Sequence, residues 1–177
     1  MTQELFAADS MLAAPPLPAD DGALQDAALL YRRPGFLLRR AHQISVAIFE
    51  SACADLGITP AQYAVLVVLR ADATLDQSSV ARAIGLDKVT VSLLLRGLEA
   101  RGLVERRPVP DNRRKLALTL TPAALELLQR SRAPTETAYE KLMAPLDGAQ
   151  RQQLIDSLQQ LVRGLEHCAR APLVPLI

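Results

Sequence analysis

The sequence predicts a mainly α-helical fold carrying one small β-hairpin. Half of the residues are apolar, only 3% are aromatic and just 8 of 177 are glycine, a composition that favours helices. Helix-start chemistry recurs along the chain, as Thr59-Pro60, Asp76, Asp87, Thr121-Pro122 and Asp147. Between Asp76 and Thr121 the pattern runs helix, tight turn, helix, strand, loop, strand. The length suits one domain with a substantial core.

The chain begins with an acidic extension rich in Ala and Pro, Met1 to about Ala19. Pro15, Pro16 and Pro18 argue against a helix there, so disorder is expected. A short helix, ALQDAALLY, is expected from Asp20 or Asp21, before Arg32-Arg33-Pro34. Phe36 to about Leu56 reads as one long helix with Leu37, Ala41, Ile44, Ile48 and Ala52 on a single stripe. Thr59 as cap and Pro60 at the first helical position open the next, which runs through Tyr63, Leu66 and Leu69.

The central stretch follows. Asp76 accepts from an unpaired first-turn N–H, and Val80, Ala81 and Ile84 form one inward face. Gly85 closes that helix in the left-handed conformation, and Asp87 caps the next after Leu86 alone. So short a glycine turn forces the helices to cross steeply. In the second helix Val91, Leu94, Leu95 and Leu98 share the buried face. Lys88, Thr90, Ser92 and Arg96 are left opposite, with Leu93 and Gly97 between them.

Gly102 stops this helix, and Leu103 to Arg107 is a short strand. Pro108 and Pro110 bar regular strand pairing and mark a loop, with Asp111-Asn112 as turn chemistry. Arg113, Arg114 and Lys115 cluster at its tip. Leu116, Leu118 and Leu120 then alternate with Ala117, Thr119 and Thr121, as in a half-buried strand. This is the order of a winged helix-turn-helix. Thr121-Pro122 opens another helix through Leu125 and Leu128 towards Met143, which Pro134 is expected to kink or break. Asp147 caps a last helix with the stripe Leu154, Leu158, Leu161 and Leu165.

Charge points to the partner. The whole chain carries only +1, but Arg82 to Lys115 holds nine Lys or Arg against four acids, a balance of +5, and the remainder carries −4. Cations gathered on a helix and a hairpin tip suit DNA phosphates and groove edges. Nothing reads as a membrane span, and the first 31 residues lack the Lys or Arg that starts a signal peptide. Two distant cysteines, Cys53 and Cys168, suit a reducing cytoplasm. No nucleophile–base pair, glycine-rich phosphate loop, carboxylate cluster or metal-ligand spacing suggests an enzyme, a cofactor or a metal.

From Gly35 to Cys168 the chain resembles the multiple antibiotic resistance regulator (MarR) family of bacterial transcription factors. The matching pieces are Leu56-Gly57-Ile58-Thr59-Pro60-Ala61-Gln62-Tyr63, Val80-Ala81-Arg82 with Gly85-Leu86, and Val91-Ser92 with Leu98-Glu99-Ala100-Arg101-Gly102-Leu103-Val104. Asp111-Asn112-Arg113-Arg114 before Leu120-Thr121-Pro122 completes them. Leu93 departs from the arginine common in the family's recognition helix, and Ala124 from the glycine common after the Leu-Thr pair.

The resemblance implies a homodimer whose terminal helices interleave, over residues 34–56 and 122–177, and a DNA-binding domain over 57–121; residues 1–33 form the N-terminal extension. Double-stranded DNA is expected to meet Ser78, Lys88, Thr90, Ser92, Arg96, Arg113, Arg114 and Lys115, on a near-palindromic operator with half-sites about 10 base pairs apart. Effectors of this family bind between the dimerisation helices and the DNA-binding lobe. Arg39, Arg40, His42, Gln43, Tyr63 and Tyr139 are therefore candidates for holding a small aromatic or carboxylate effector; the alternative is solvated or acid-paired arginines and a core tyrosine. Two other functional readings stay open at this point: oxidant sensing through Cys53, and a winged helix that docks protein.

Overall fold

The computed structural model describes residues 21–109 and 112–177. The expected disorder of Met1 to Ala19, and Pro110 and Asp111 of the expected turn, lie outside the described residues, as do the side chains of 108–116. The elements are α1 Asp21–Tyr31, α2 Pro34–Ala52, α3 Pro60–Ala71, α4 Gln77–Ile84, α5 Lys88–Ala100, β1 Val104–Val109, β2 Asn112–Leu120, α6 Pro122–Met143 and α7 Gly148–Leu165. Short 3-10 turns occupy Ala54–Leu56 and Glu166–Cys168. None of the described helices is long and apolar enough to cross a membrane.

The chain divides into two compact units, one ending at Arg40 and the other running Ala41–Ile177. In the first, Tyr31 meets Phe36 edge-on at 5.3 Å, and the Arg39 guanidinium lies 5.0 Å from the centre of the Phe36 ring. These contacts join the end of α1 to the start of α2 across the break at Arg32-Arg33.

The second unit is built around a core to which α3, α4, α5 and β2 all contribute. Val65, Leu66 and Leu69 meet Val80, Val91, Leu95, Leu98 and Leu118, none more than 2% exposed. The stripes expected for α3 and α5 are therefore the ones that are buried. Leu103 and Val104 continue this core to the base of the hairpin, and Ala124, Leu127 and Leu128 join it from α6.

Two expectations are corrected. The helix expected to reach Leu56 ends at Ala52. Cys53 leaves helical geometry at φ −100, ψ 17, a 3-10 turn follows, and Gly57 closes it at φ 58. Arg101 holds that tighter turn from the end of α5, donating to the carbonyls of Gly57 at 2.7 Å and Leu56 at 2.9 Å.

Pro134 does not break α6, which stays helical from Pro122 to Met143. Proline removes the donor to the Arg130 carbonyl, one bond in a helix of 22 residues, and the hydroxyls that follow bond back to later carbonyls of the same stretch. Thr135 Oγ1 lies 2.9 Å from the Ser131 carbonyl oxygen and 3.0 Å from that of Arg132, and Thr137 Oγ1 donates to Ala133 at 3.0 Å.

Leu95 is fully enclosed in this cluster, so its truncation carries the penalty of a core cavity. Leu95→Ala should lose about 2 to 5 kcal/mol in urea unfolding, through lost transfer energy and the cavity left behind.

Candidate nucleic-acid interface

The crossing of α4 and α5 is made by three adjacent pieces of local chemistry. Asp76 accepts from Ser79 N–H at 2.9 Å and starts α4. Gly85 ends it at φ 65, in the left-handed region that costs glycine little. Asp87 then accepts from the N–H groups of Val89 and Thr90, both at 2.9 Å, and from the Thr90 hydroxyl at 2.6 Å. The Thr90 hydroxyl, then the Thr90 N–H, hold the Asp87 carboxyl below its ordinary value.

The outward face of α5 differs from the one read along the sequence. Its centre is apolar: Val89 is 69% and Leu93 59% exposed, with Lys88 and Arg96 beside them. Thr90 and Ser92 are half-buried, and the Thr90 hydroxyl is engaged by Asp87. Gly97, expected on the outward face, is turned towards α3: a Cβ there would lie 3.7 Å from Gln62 Nε2. Val89, four residues before Leu93, shares its face, but an apolar side chain does not announce itself as outward until the buried face is fixed.

The hairpin stands beside this face. β1 and β2 pair antiparallel from Val104↔Leu120 to Pro108↔Leu116, after which the register jumps to Val109↔Asn112. Arg113, Arg114 and Lys115 fall between those last two pairings. Pro108, expected to mark the loop, lies within β1 next to this irregularity, where proline is tolerated because the regular ladder is already interrupted. The hairpin base is fixed to the core, since Leu118 N–H donates to the Leu75 carbonyl at 3.2 Å and Thr121 N–H to that of Leu103 at 3.1 Å.

The basic balance of the region is partly spent on structure. Arg101 serves the Leu56 and Gly57 carbonyls. Arg106 pairs with Glu99 at 2.6 Å, and Arg107 with Glu105. Lys88 and Arg96 are exposed, and Ser78 sits half-buried in the first turn of α4.

The candidate effector residues divide between the two units. Arg39 and Arg40 belong to the first; Arg39 stacks on Phe36. His42 and Gln43 are exposed on α2. Tyr63 is half-buried against Phe49, ring centres 5.6 Å apart, and Tyr139 is 40% exposed on α6. The Cys53 thiol is 1% exposed, and burial raises its pKa, which disfavours the reactive thiolate.

Two capped helices crossing at a glycine turn, an outward face on the second and a pinned hairpin beside it define a winged helix-turn-helix DNA-binding protein. Comparisons with known proteins carry this further. A family model described as MarR family matches residues 56–115. The HTH-type transcriptional repressor NicR of Pseudomonas putida is 30% identical over 128 residues, which cover 72% of this chain and 81% of NicR.

Among solved structures, BpsR of Bordetella bronchiseptica, whose DNA binding is regulated by 6-hydroxynicotinic acid, has a TM-score of 0.69 at 32% identity and covers 74% of this chain and 94% of its own. The transcriptional repressor CouR bound to a 23-mer DNA duplex has a TM-score of 0.70 at 26% identity and covers 82% and 99%. CouR of Rhodococcus jostii RHA1 is also known bound to p-coumaroyl-CoA, at a TM-score of 0.64 and 28% identity over 75% of this chain and 93% of that one. The chain belongs to the MarR family of DNA-binding transcriptional regulators.

The lowered pKa of Asp87 fixes a sign. A carboxyl whose folded value is depressed contributes stability above its unfolded pKa and loses it as pH falls through the folded one. Asp87→Ala should therefore be less stable than the parent at neutral pH, and the gap should close as acid protonates the parent cap. Thermal melts across an acid series check this; a gap independent of pH would remove the charged cap from the account.

Proposed function

We propose that this protein is a cytoplasmic homodimeric repressor that binds a near-palindromic operator and is released from it by a small aromatic anion. The observation carrying the DNA part is the outward face of α5, held by the Asp87 cap beside a hairpin that brings Arg113, Arg114 and Lys115 to its far end. On this reading α5 enters the major groove. Lys88 and Arg96 donate to base edges or phosphates, Val89 and Leu93 meet thymine methyls, and a wing arginine reaches the minor groove. Ser78 at the start of α4 meets the backbone.

Dimerisation is supported by unpartnered apolar surface. No residue of α7 is buried, and Leu154, Leu158, Leu161 and Leu165 are 37 to 55% exposed along one stripe. Ile44 on α2 is 42% exposed as well. Covering such faces with a second copy removes them from water and places two α5 helices about one DNA turn apart. Residues 34–56 and 122–177 would then form the dimer and 57–121 the reading head.

An effector of aromatic, anionic chemistry is supported by relatives regulated by 6-hydroxynicotinic acid or bound to p-coumaroyl-CoA. Within the second unit His42, Gln43, Tyr63 and Tyr139 are the candidates for holding such a ligand, and in the first unit Arg39 and Arg40 carry the cations. Binding that favours one dimer shape over another needs only about 1 to 3 kcal/mol of differential affinity to act as a switch. Burial of Cys53 argues against the oxidant-sensing alternative.

Fluorescence anisotropy on DNA from upstream of the protein's own gene, over a salt series, tests the reading. Tight binding to one fragment by two subunits, with a steep salt slope, is expected. Arg113→Ala with Arg114→Ala should weaken binding to every sequence; unchanged affinity would remove the wing. Operator binding that persists at saturating aromatic acid would contradict release by that effector.

Leu158→Asp with Leu161→Asp places two charges in the α7 stripe. Sedimentation should show this variant as a monomer of retained helicity with greatly reduced operator affinity, and a dimer of parental affinity would exclude α7 from the interface.

A further inference from the structure

The last residues of the chain fold back onto the helix-turn-helix. Val174 N–H donates to the Arg82 carbonyl at 2.8 Å, near the end of α4. Leu173 N–H donates to Glu166 Oε1 at 2.7 Å, and a Cβ on Gly85 would lie 3.6 Å from the Leu173 side chain. Leu173 is half-buried, whereas Val174 and Leu176 are exposed. The tail is thus anchored at Leu173 and Val174, on the glycine turn that sets the crossing of α4 and α5.

This anchoring has an electrostatic consequence upstream. Arg170, Ala171 and Pro172 form one wall of a cleft of about 380 Å³ whose other walls include Ser78, Arg82 and Lys88. Three cations from three separate elements, α4, the start of α5 and the tail, therefore border one concave surface with a hydroxyl among them. All three are exposed, and none is in an ion pair with a described residue; Arg82 donates to Ser79 Oγ at 3.2 Å. Asp87 also lines the cleft, but its oxygens accept from Val89, Thr90 and the Thr90 hydroxyl. With the Asp87 carboxylate counted, three cations against one acid leave the cleft net positive, so it attracts a further anion.

In a helix-turn-helix the first helix crosses the DNA backbone while the second enters the groove. A basic cleft bordered by α4 and the start of α5 is therefore placed where a phosphate flanking the second helix would pass on this geometry. We propose that the C-terminal tail is part of the DNA-contacting surface and that Arg170, with Arg82 and Lys88, clamps a backbone phosphate. The inference rests on the DNA-binding reading above and adds to it a contact from the opposite end of the chain. The clamp carries no sequence information; it adds affinity and fixes the reading head against the backbone.

The test uses the full chain and the operator fragment, with anisotropy measured over a salt series. Arg170→Ala should make the slope of log affinity against log salt shallower by about one, as for the loss of one phosphate contact. Affinity at fixed salt should fall roughly three- to tenfold, equally on operator and unrelated DNA. Arg170→Lys should restore the slope. Leu173→Ala, which leaves every cation in place but loosens the anchor, should shift the slope in the same direction.

An unchanged slope in Arg170→Ala overturns the clamp while leaving the regulator reading intact. So does a loss of affinity with no change of slope, which would indicate a packing role. A parent protein without DNA affinity at low salt overturns both the clamp and the reading it rests on.

Discussion

The left-handed turn at Gly85 is the constraint on which the rest of the reading head depends. With Asp76 starting α4 and Asp87 starting α5 only two residues after the glycine, the two helices have one way to cross. That crossing turns Val91, Leu95 and Leu98 inward against Leu66, Leu69 and Val80, and so turns Val89, Leu93 and Arg96 outward. The buried and the reading faces of α5 are set by the same rotation. A side chain at Gly85 would strain the left-handed backbone, even though its Cβ would meet Leu173 only in ordinary contact.

Several arginines in the basic region act on the protein rather than on a partner. Arg101 ties the end of α5 to the 3-10 turn after α2, and Arg106 joins the hairpin to Glu99. Such pairs, exposed as they are, add little stability. Their effect is geometric: they tie the hairpin and the end of α5 to fixed neighbours, while Lys88 and Arg96 stay exposed. The net charge of a stretch thus overstates the charge available for binding.

What could be read from the sequence follows the range of the interactions. Asp76, Gly85, Asp87 and Thr121 were legible because caps and left-handed turns act over two to four residues. The stripe of α5 was legible because burial repeats with the helix. Val89 escaped because an exposed apolar residue carries no signal until the buried face is known. The 3-10 turn that replaces the end of α2 is backed by a bond between Arg101 and the Leu56 carbonyl, 45 residues apart, which no local pattern announces. Pro134 carries a strong local breaking signal, yet one missing donor is tolerated inside a 22-residue helix whose inner face is held by Leu127, Leu128 and Ala138. The docking of Leu173 on Gly85 was invisible, since Ala169 to Ile177 has neither period nor cap.

The path of the tail bears on how the protein is handled. From Val174, bonded to Arg82, the three residues to Ile177 reach at most about 11 Å. Any affinity tag, fluorophore or fused domain attached there emerges beside the turn between α4 and α5. Bulk or added acidic charge at that point crowds the reading head, so labels belong at the amino end, ahead of the acidic extension.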